Sequence, residues 1–135
     1  MVTAFEIEPN RLIEKAAEKL KEMKIQKPEF VGFVKTGPHT ERPPEQADFW
    51  YVRCASILRQ TYFRTNVGVN RLKRHYGGRV NRGVRPEHRK DAGGNTIRKA
   101  MQALEKLGLI EKTKKGRILT AKGRKFLDGV AKQVS

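Results

Sequence analysis

The amino-acid sequence predicts a mostly α-helical domain: helices packed around one central amphipathic helix, winged-helix-like in its second half, with one small β-hairpin. Three stretches carry that expectation. Residues 49–64, FWYVRCASILRQTYFR, place Trp50, Tyr51, Cys54, Ala55, Ile57, Leu58 and Tyr62 over more than half of a helical wheel, and Phe49, Val52 and Phe63 widen the arc. A helix that apolar reads as the strut of the core. Residues 11–24 and 95–107 are amphipathic at the same period, so each has one face to lay against such a strut. Residues 104–123, LEKLGLIEKTKKGRILTAKG, run from a helix through two short strand candidates into another helix start, which is the order of a winged-helix tail. With 135 residues, 37% of them apolar, the chain supplies one core and is expected to form a single domain over 1–135.

Taken in order, Asn10 is the expected cap of the first helix, in which Leu12, Ile13, Ala16, Ala17, Leu20 and Met23 share an arc opposite Glu14, Lys15, Glu18, Lys19, Lys21 and Glu22. Pro28 can open a short turn through Phe30 and Val31, and residues 36–46, with Gly37, Pro38, Pro43 and Pro44, read as an irregular connection. Asp48 is positioned to cap the central helix, which at 1.5 Å per residue is roughly 24 Å long. Its narrow polar strip is Arg53, Ser56, Gln60 and Arg64, with Arg59 at the edge. Residues 68–76 form a shorter basic helix stopped by Gly77 and Gly78, and the run GGRVNRGVRPEHRKDAGG reads as a long functional loop. Asn95 or Thr96 starts a helix that turns Ile97, Ala100, Met101, Leu104 and Leu107 inward and ends at Gly108. Residues 109–112 and 117–120 are the hairpin strands, and Thr120 caps a last helix carrying Phe126, Leu127, Val130 and Ala131.

Charge is placed rather than spread. The chain carries a formal net charge of +16, yet residues 1–45 balance eight basic side chains against eight acidic ones. Residues 67–99 hold seven Arg and three Lys against Glu87 and Asp91, a net of +8. Concentration of this kind points to a polyanionic partner, and arginine's planar fork suits a fixed phosphate backbone better than general solubility does. The candidate contacts are Arg71, Lys73 and Arg74 on the short helix, Arg79, Arg82, Arg85, Arg89 and Lys90 in the glycine-rich run, and Lys114, Lys115 and Arg117 at the hairpin tip. A disordered basic tail is the bland alternative for the run, but it lies between two well-formed helices and is interleaved with Tyr76, Val80, Val84 and Pro86. The aromatics of the central helix match the period of a buried element and read as core, while Tyr76 retains a possible base-stacking role.

Other function classes are disfavoured. His39, His75 and His88 are isolated and there is one cysteine, so no metal or other cofactor is expected, and Cys54 reads as a buried thiol. GGRVNRG lacks the Lys-Ser/Thr pair of a phosphate-binding loop, and only six acidic residues follow residue 46, too few to suggest magnesium-dependent cleavage. No catalytic residues are proposed. The longest apolar stretches, such as residues 30–34, are far from a membrane span or a signal-peptide core, so a soluble cytoplasmic protein without a membrane partner is expected.

A DNA-reading helix-turn-helix needs a turn of three or four residues before its recognition helix. Here about 18 arginine- and glycine-rich residues intervene, which spoils simple groove docking and suits the irregular surface of a folded RNA. In order and spacing, DFWYVRCASILRQTYFR, VGVNRLKRHYGGRVNRGVRPEHRK, IRKAMQALEKLGLIEK and GRILTAKGRKFLD resemble the archaeal and eukaryotic small-ribosomal-subunit protein family S-nineteen-e, from about residue 4 to residue 132. The resemblance implies an all-helical fold with a small hairpin, a place in the head of the small subunit on its ribosomal RNA, and, for eukaryotic members, a requirement in maturing that RNA. The matching basic positions are Arg53, Arg59, Tyr76 to Arg79, Arg82, Arg85, His88, Arg98, Lys99, Arg117 and Lys122, and Arg64 completes the polar strip of the central helix. The implied partners are small-subunit rRNA and neighbouring small-subunit proteins, with a monomer off the ribosome. A winged-helix DNA-binding transcription regulator is the alternative, supported by the hairpin and basic helix; residues 28–47, neutral and proline-rich, are a third feature suited to docking on a neighbouring protein.

Overall fold

The computed structural model describes residues 3–23, 25, 49–64, 66–82, 85–92, 94–114 and 116–134. The expectations for Pro28, for residues 28–47 and for Asp48 lie outside them. After a single 3-10 turn at Ala4–Glu6, the elements are α1 (Pro9–Glu22), α2 (Phe49–Phe63), α3 (Val69–His75), β1 (Gly78–Arg82), β2 (Arg85–Lys90), α4 (Gly94–Lys106), β3 (Ile110–Thr113), β4 (Gly116–Leu119) and α5 (Ala121–Val134).

The mostly helical, winged-helix-like architecture is as the sequence predicts. α2 is the strut: Trp50, Cys54, Ala55, Ile57 and Leu58 have no exposed surface, and α1, α4, α5 and β4 all pack on it. Leu12, Ala16, Ala17 and Leu20 are the buried stripe of α1, and Ile97, Ala100, Met101 and Leu104 that of α4. Burying a Leu, Ile or Met side chain contributes roughly 1.5 to 3 kcal/mol, and the alanines between them let the helices approach, so these two stripes hold α1 and α4 against the central helix. Cys54 is buried, and burial drives its thiol pKa far up, so it is an inert part of this core. Among the described residues no helix is long and apolar enough to cross a membrane.

Two expectations are corrected. Asn10 does not cap α1: the helix begins one residue earlier, with Pro9 in its first turn behind Glu8 and no side-chain cap hydrogen bond. Proline fits there because the missing N–H has no partner in a first turn anyway and its fixed φ is already helical. The glycine-rich run is not an irregular loop. It forms the antiparallel pair β1–β2, so there are two hairpins among the described residues where the sequence suggested one. Glycine and arginine are poor strand signals, which hid it. Gly78 pairs with Lys90, Arg79 with Arg89, Val80 with His88 and Arg82 with Arg85, with the register shifting between Val80 and Arg82. Pro86 and Glu87 therefore stand opposite Asn81 alone, a bulge that suits a proline with no N–H to give the ladder.

The first hairpin grows from the end of α3. The Ala92 N–H donates to the Lys73 carbonyl at 2.9 Å, and a Cβ built on Gly77 would come within 2.4 Å of the Lys90 carbonyl oxygen. Only glycine lets the two ends of the hairpin close on each other. The second hairpin is the wing, and Val67 adds a third rung to it: its N–H donates to the Arg117 carbonyl at 3.0 Å and its carbonyl accepts from the Arg117 N–H at 2.8 Å. Thr120 caps α5 as the sequence predicts, its Oγ1 accepting from the Gly123 N–H at 3.1 Å while donating to the Gly108 carbonyl at 2.7 Å. Gly108, at φ +77°, ends α4 in the left-handed region that a C-terminal glycine supplies.

Candidate nucleic-acid interface

The predicted basic residues fall into three places in the fold. The first is the junction of α2 and α3. Arg64, Arg71, Arg74 and His75 line, with Asn70, an open groove of about 450 Å³, and Arg64, Arg71 and Arg74 are exposed. Arg71 donates to the Asn66 carbonyl at 3.1 Å and Arg64 to Gln60 at 3.2 Å, neutral partners that position each side chain, and among the described residues neither has a carboxylate partner. The His75 pKa lies below its ordinary value, through burial first and then through Arg64, Arg53 and Arg59. Burial thus disfavours its protonation most, and the three arginines add to it by placing positive charge nearby.

Arg53 and Arg59 share the helix but not the environment. The Arg53 guanidinium lies 4.0 Å from the centre of the Tyr76 ring and 5.2 Å from that of Phe49, and the Tyr76 and Ser56 hydroxyls share a 2.6 Å hydrogen bond. Burial lowers the Arg53 pKa and raises that of Tyr76. Tyr76 is thereby packed under Arg53 and against the α2 strip, and Arg53 clamps the end of α3 to α2. Arg59 stacks at 4.2 Å on Phe63, at the outer end of α2. Among the described residues neither arginine has a carboxylate partner.

The second place is the β1–β2 hairpin. Its strands pair with each other as an antiparallel ladder, and its base is tied to α3 where the Ala92 N–H meets the Lys73 carbonyl. It contains Arg79, Arg82, Arg85, His88, Arg89 and Lys90 against a single acid, Glu87. The register sets arginine opposite arginine twice, Arg79 with Arg89 and Arg82 with Arg85. Like charges directly across a ladder disfavour it, so this composition works against the bare hairpin. Lys73 at its base is half-buried, and Arg98 and Lys99 lie on the exposed face of α4.

The third place, the wing, departs most from expectation. Lys114 is exposed, and Lys115 lies outside the described residues. Arg117 is turned inward: its Nε donates to Glu105 Oε1 at 2.5 Å, with only 12% of the side chain exposed. Lys122 donates to the Leu107 carbonyl at 3.0 Å, satisfying an end of α4 where a cation also meets the negative pole of the helix. Arg117 binds the wing to α4, and Lys122, an exposed residue of α5, ties that helix to the end of α4. Glu105→Gln is expected to lower the melting temperature by about 3 to 6 °C, equivalent to roughly 1 to 2 kcal/mol, with RNA affinity unchanged. Calorimetry alongside a binding assay checks this; an unaltered melting temperature with tighter binding would return Arg117 to the interface.

Residues not singled out in the sequence also belong here. Asn70 lines the groove, and Phe5 and Arg124 join Phe63 in an aromatic and cationic cluster at the far end of α2. Phe63 extends the apolar arc of its helix on the wheel, and nothing in that pattern distinguishes a ring at the solvent edge from one in the core.

Comparison with known proteins bears on what these surfaces serve. The chain matches the family model described as Ribosomal protein S19e over residues 3–135. It is 45% identical to the small ribosomal subunit protein eS19 of Aeropyrum pernix, an alignment covering 99% of this chain and 90% of that one. The eS19 protein of Thermoplasma volcanium is 40% identical with the same coverage of 99% and 90%. Small ribosomal subunit protein eS19B of Schizosaccharomyces pombe is 46% identical over 80% of this chain and 76% of its own. Matched along nearly its whole length, with its central helix, arginine hairpin and wing all inside the match, the chain belongs to the ribosomal protein S19e family.

Proposed function

We propose that this protein is a structural constituent of the small ribosomal subunit, seated in its head, which binds small-subunit rRNA through a basic surface and contributes to subunit assembly or rRNA maturation without a catalytic step. Its family and the names of its relatives support the ribosomal part of this reading. The observation that supports the RNA part is the β1–β2 hairpin, whose register sets arginine against arginine. Such a ladder gains from a polyanion that neutralises both members of each pair, and RNA offers phosphates at fixed spacing along irregular surfaces. The groove at the α2–α3 junction, with Arg64, Arg71 and Arg74, is the second contact on this reading, and Arg98 and Lys99 the third. Arg59 contributes from the edge of the same surface, whereas Arg53, Arg117 and Lys122 act through the fold. Neighbouring small-subunit proteins are the remaining partners, the chain being monomeric when free and cytoplasmic with the ribosome.

The DNA-reading alternative fares poorly on geometry, because the β1–β2 hairpin occupies the connection between α3 and α4 that a helix-turn-helix keeps to a short turn. Sedimentation of native lysate through a sucrose gradient after a high-salt wash tests the proposal. The protein is expected to travel with small subunits; its recovery only at the top of the gradient, together with preference for a particular DNA duplex, would overturn the reading.

A further inference from the structure

Phe5 and Phe63 are the exposed large hydrophobic residues of the described chain, at 58% and 38%. Their rings meet edge to face, with centroids 4.6 Å apart and planes at 87°, and Phe5 makes a second such contact with Tyr62 at 4.9 Å. Phe5 is held outside by its backbone. The Ala4 N–H donates to Asp128 Oδ1 at 3.2 Å, the same oxygen that accepts from the Tyr62 hydroxyl at 2.8 Å, so the Ala4–Glu6 turn is tied to both α5 and α2. Ala4 fills the core beneath, and Phe5, next along the turn, stands in solvent with most of its surface open.

Two arginines flank this shelf. The Arg59 guanidinium lies 4.2 Å from the Phe63 ring centre, and that of Arg124 lies 4.9 Å from the Tyr62 ring centre. Neither has an ion pair among the described residues, and the Nε of Arg59 is enclosed with no hydrogen-bond acceptor. Stacking on the rings therefore orients both cations, with the Asp128 carboxylate on the Tyr62 hydroxyl the nearby acid. A protein partner seated on an apolar patch would have to strip water from two guanidinium groups at its rim, neither ion-paired among the described residues. A nucleotide suits all parts at once: a flat base for the open ring and anionic oxygens for the forks.

We infer that Phe5, backed by Phe63 and Tyr62, is a stacking shelf for an unpaired RNA base, with Arg59 and Arg124 holding the adjoining phosphates. The inference rests on the RNA-binding reading above and adds to it a site selective for single strands, which the basic groove and hairpin do not require.

The test uses the full chain, a fluorescent oligouridine of about ten nucleotides, and an RNA duplex of similar length at one salt concentration. Phe5→Ala and Phe5→Leu are expected to weaken oligouridine binding about 5- to 100-fold while duplex binding stays within about twofold, and Phe5→Trp to restore it. The leucine variant keeps an apolar contact with Tyr62 and removes the ring, so loss of stacking is separated from loss of fold. Photocrosslinking of the 5-iodouridine-substituted strand is expected at Phe5 or Phe63. Unchanged oligouridine binding by Phe5→Leu overturns the shelf while leaving the RNA reading intact. So does normal RNA binding combined with failure to enter small subunits, which would make the patch a protein contact. Wild-type protein that binds neither RNA overturns both.

Discussion

On the proposed RNA-binding reading, replacing Arg79, Arg82 and Arg85 together with alanine is expected to lower the slope of log K against log salt for rRNA binding by about 2 to 3, since each neutralised phosphate contributes roughly 0.7 to 0.9. Near physiological ionic strength that corresponds to an affinity loss on the order of a hundredfold. The fold is expected to survive. The three positions lie on the β1–β2 ladder rather than on a helix, and the substitutions remove the like charges that the register sets opposite each other, so the melting temperature is expected to stay within about 2 °C. Filter binding across a salt series with a fragment of the subunit-head rRNA, beside a thermal melt, measures both quantities. An unchanged slope would remove the hairpin from the interface.

The contrast between this hairpin and the wing shows what the sequence made legible. Where apolar residues keep a helical period, the centre of each stripe reads correctly: the buried residues of α1, α2, α4 and α5 fall mostly on the predicted faces, while Phe63, at the edge of the α2 arc, is exposed. Thr120 was equally readable, since a cap is a short-range hydrogen bond between neighbours in sequence. The β1–β2 ladder was not, because its alternation carries arginine and glycine where strand periodicity is written in branched and aromatic residues. Nor could sequence sort cations into those that face solvent and those that hold the fold. Arg117 is separated from Glu105 by twelve residues, and only the turn back of the chain after Gly108 brings them together. Arg53 and Arg59 lie six residues apart on one helix, a difference of more than a turn and a half, and what stands over each is set by α3 and by the end of α2.

That difference separates them experimentally. Arg53→Ala is expected to destabilise the protein by about 2 kcal/mol, a fall in melting temperature of about 4 to 8 °C, because it removes a desolvated guanidinium from the Tyr76 ring and the stem that packs beside Phe49. Burial is the leading influence on both arginines, but Arg53 lies against two rings, Tyr76 and Phe49, where Arg59 lies against Phe63, so it has more contacts to lose. Arg59→Ala removes a stack at the solvent edge, worth about 0.5 to 1 kcal/mol, and is expected to cost more in RNA affinity than in stability. Lysine at position 53 keeps the charge but not the planar face, so it should recover little of the loss, whereas lysine at 59 should recover part of the salt dependence of binding. Thermal melts of the four variants, followed by binding at two salt concentrations, order these effects. Should Arg53→Ala melt like the wild type and lose RNA affinity, Arg53 would be a surface contact and the clamp between α2 and α3 would have to lie in the Ser56–Tyr76 hydrogen bond alone.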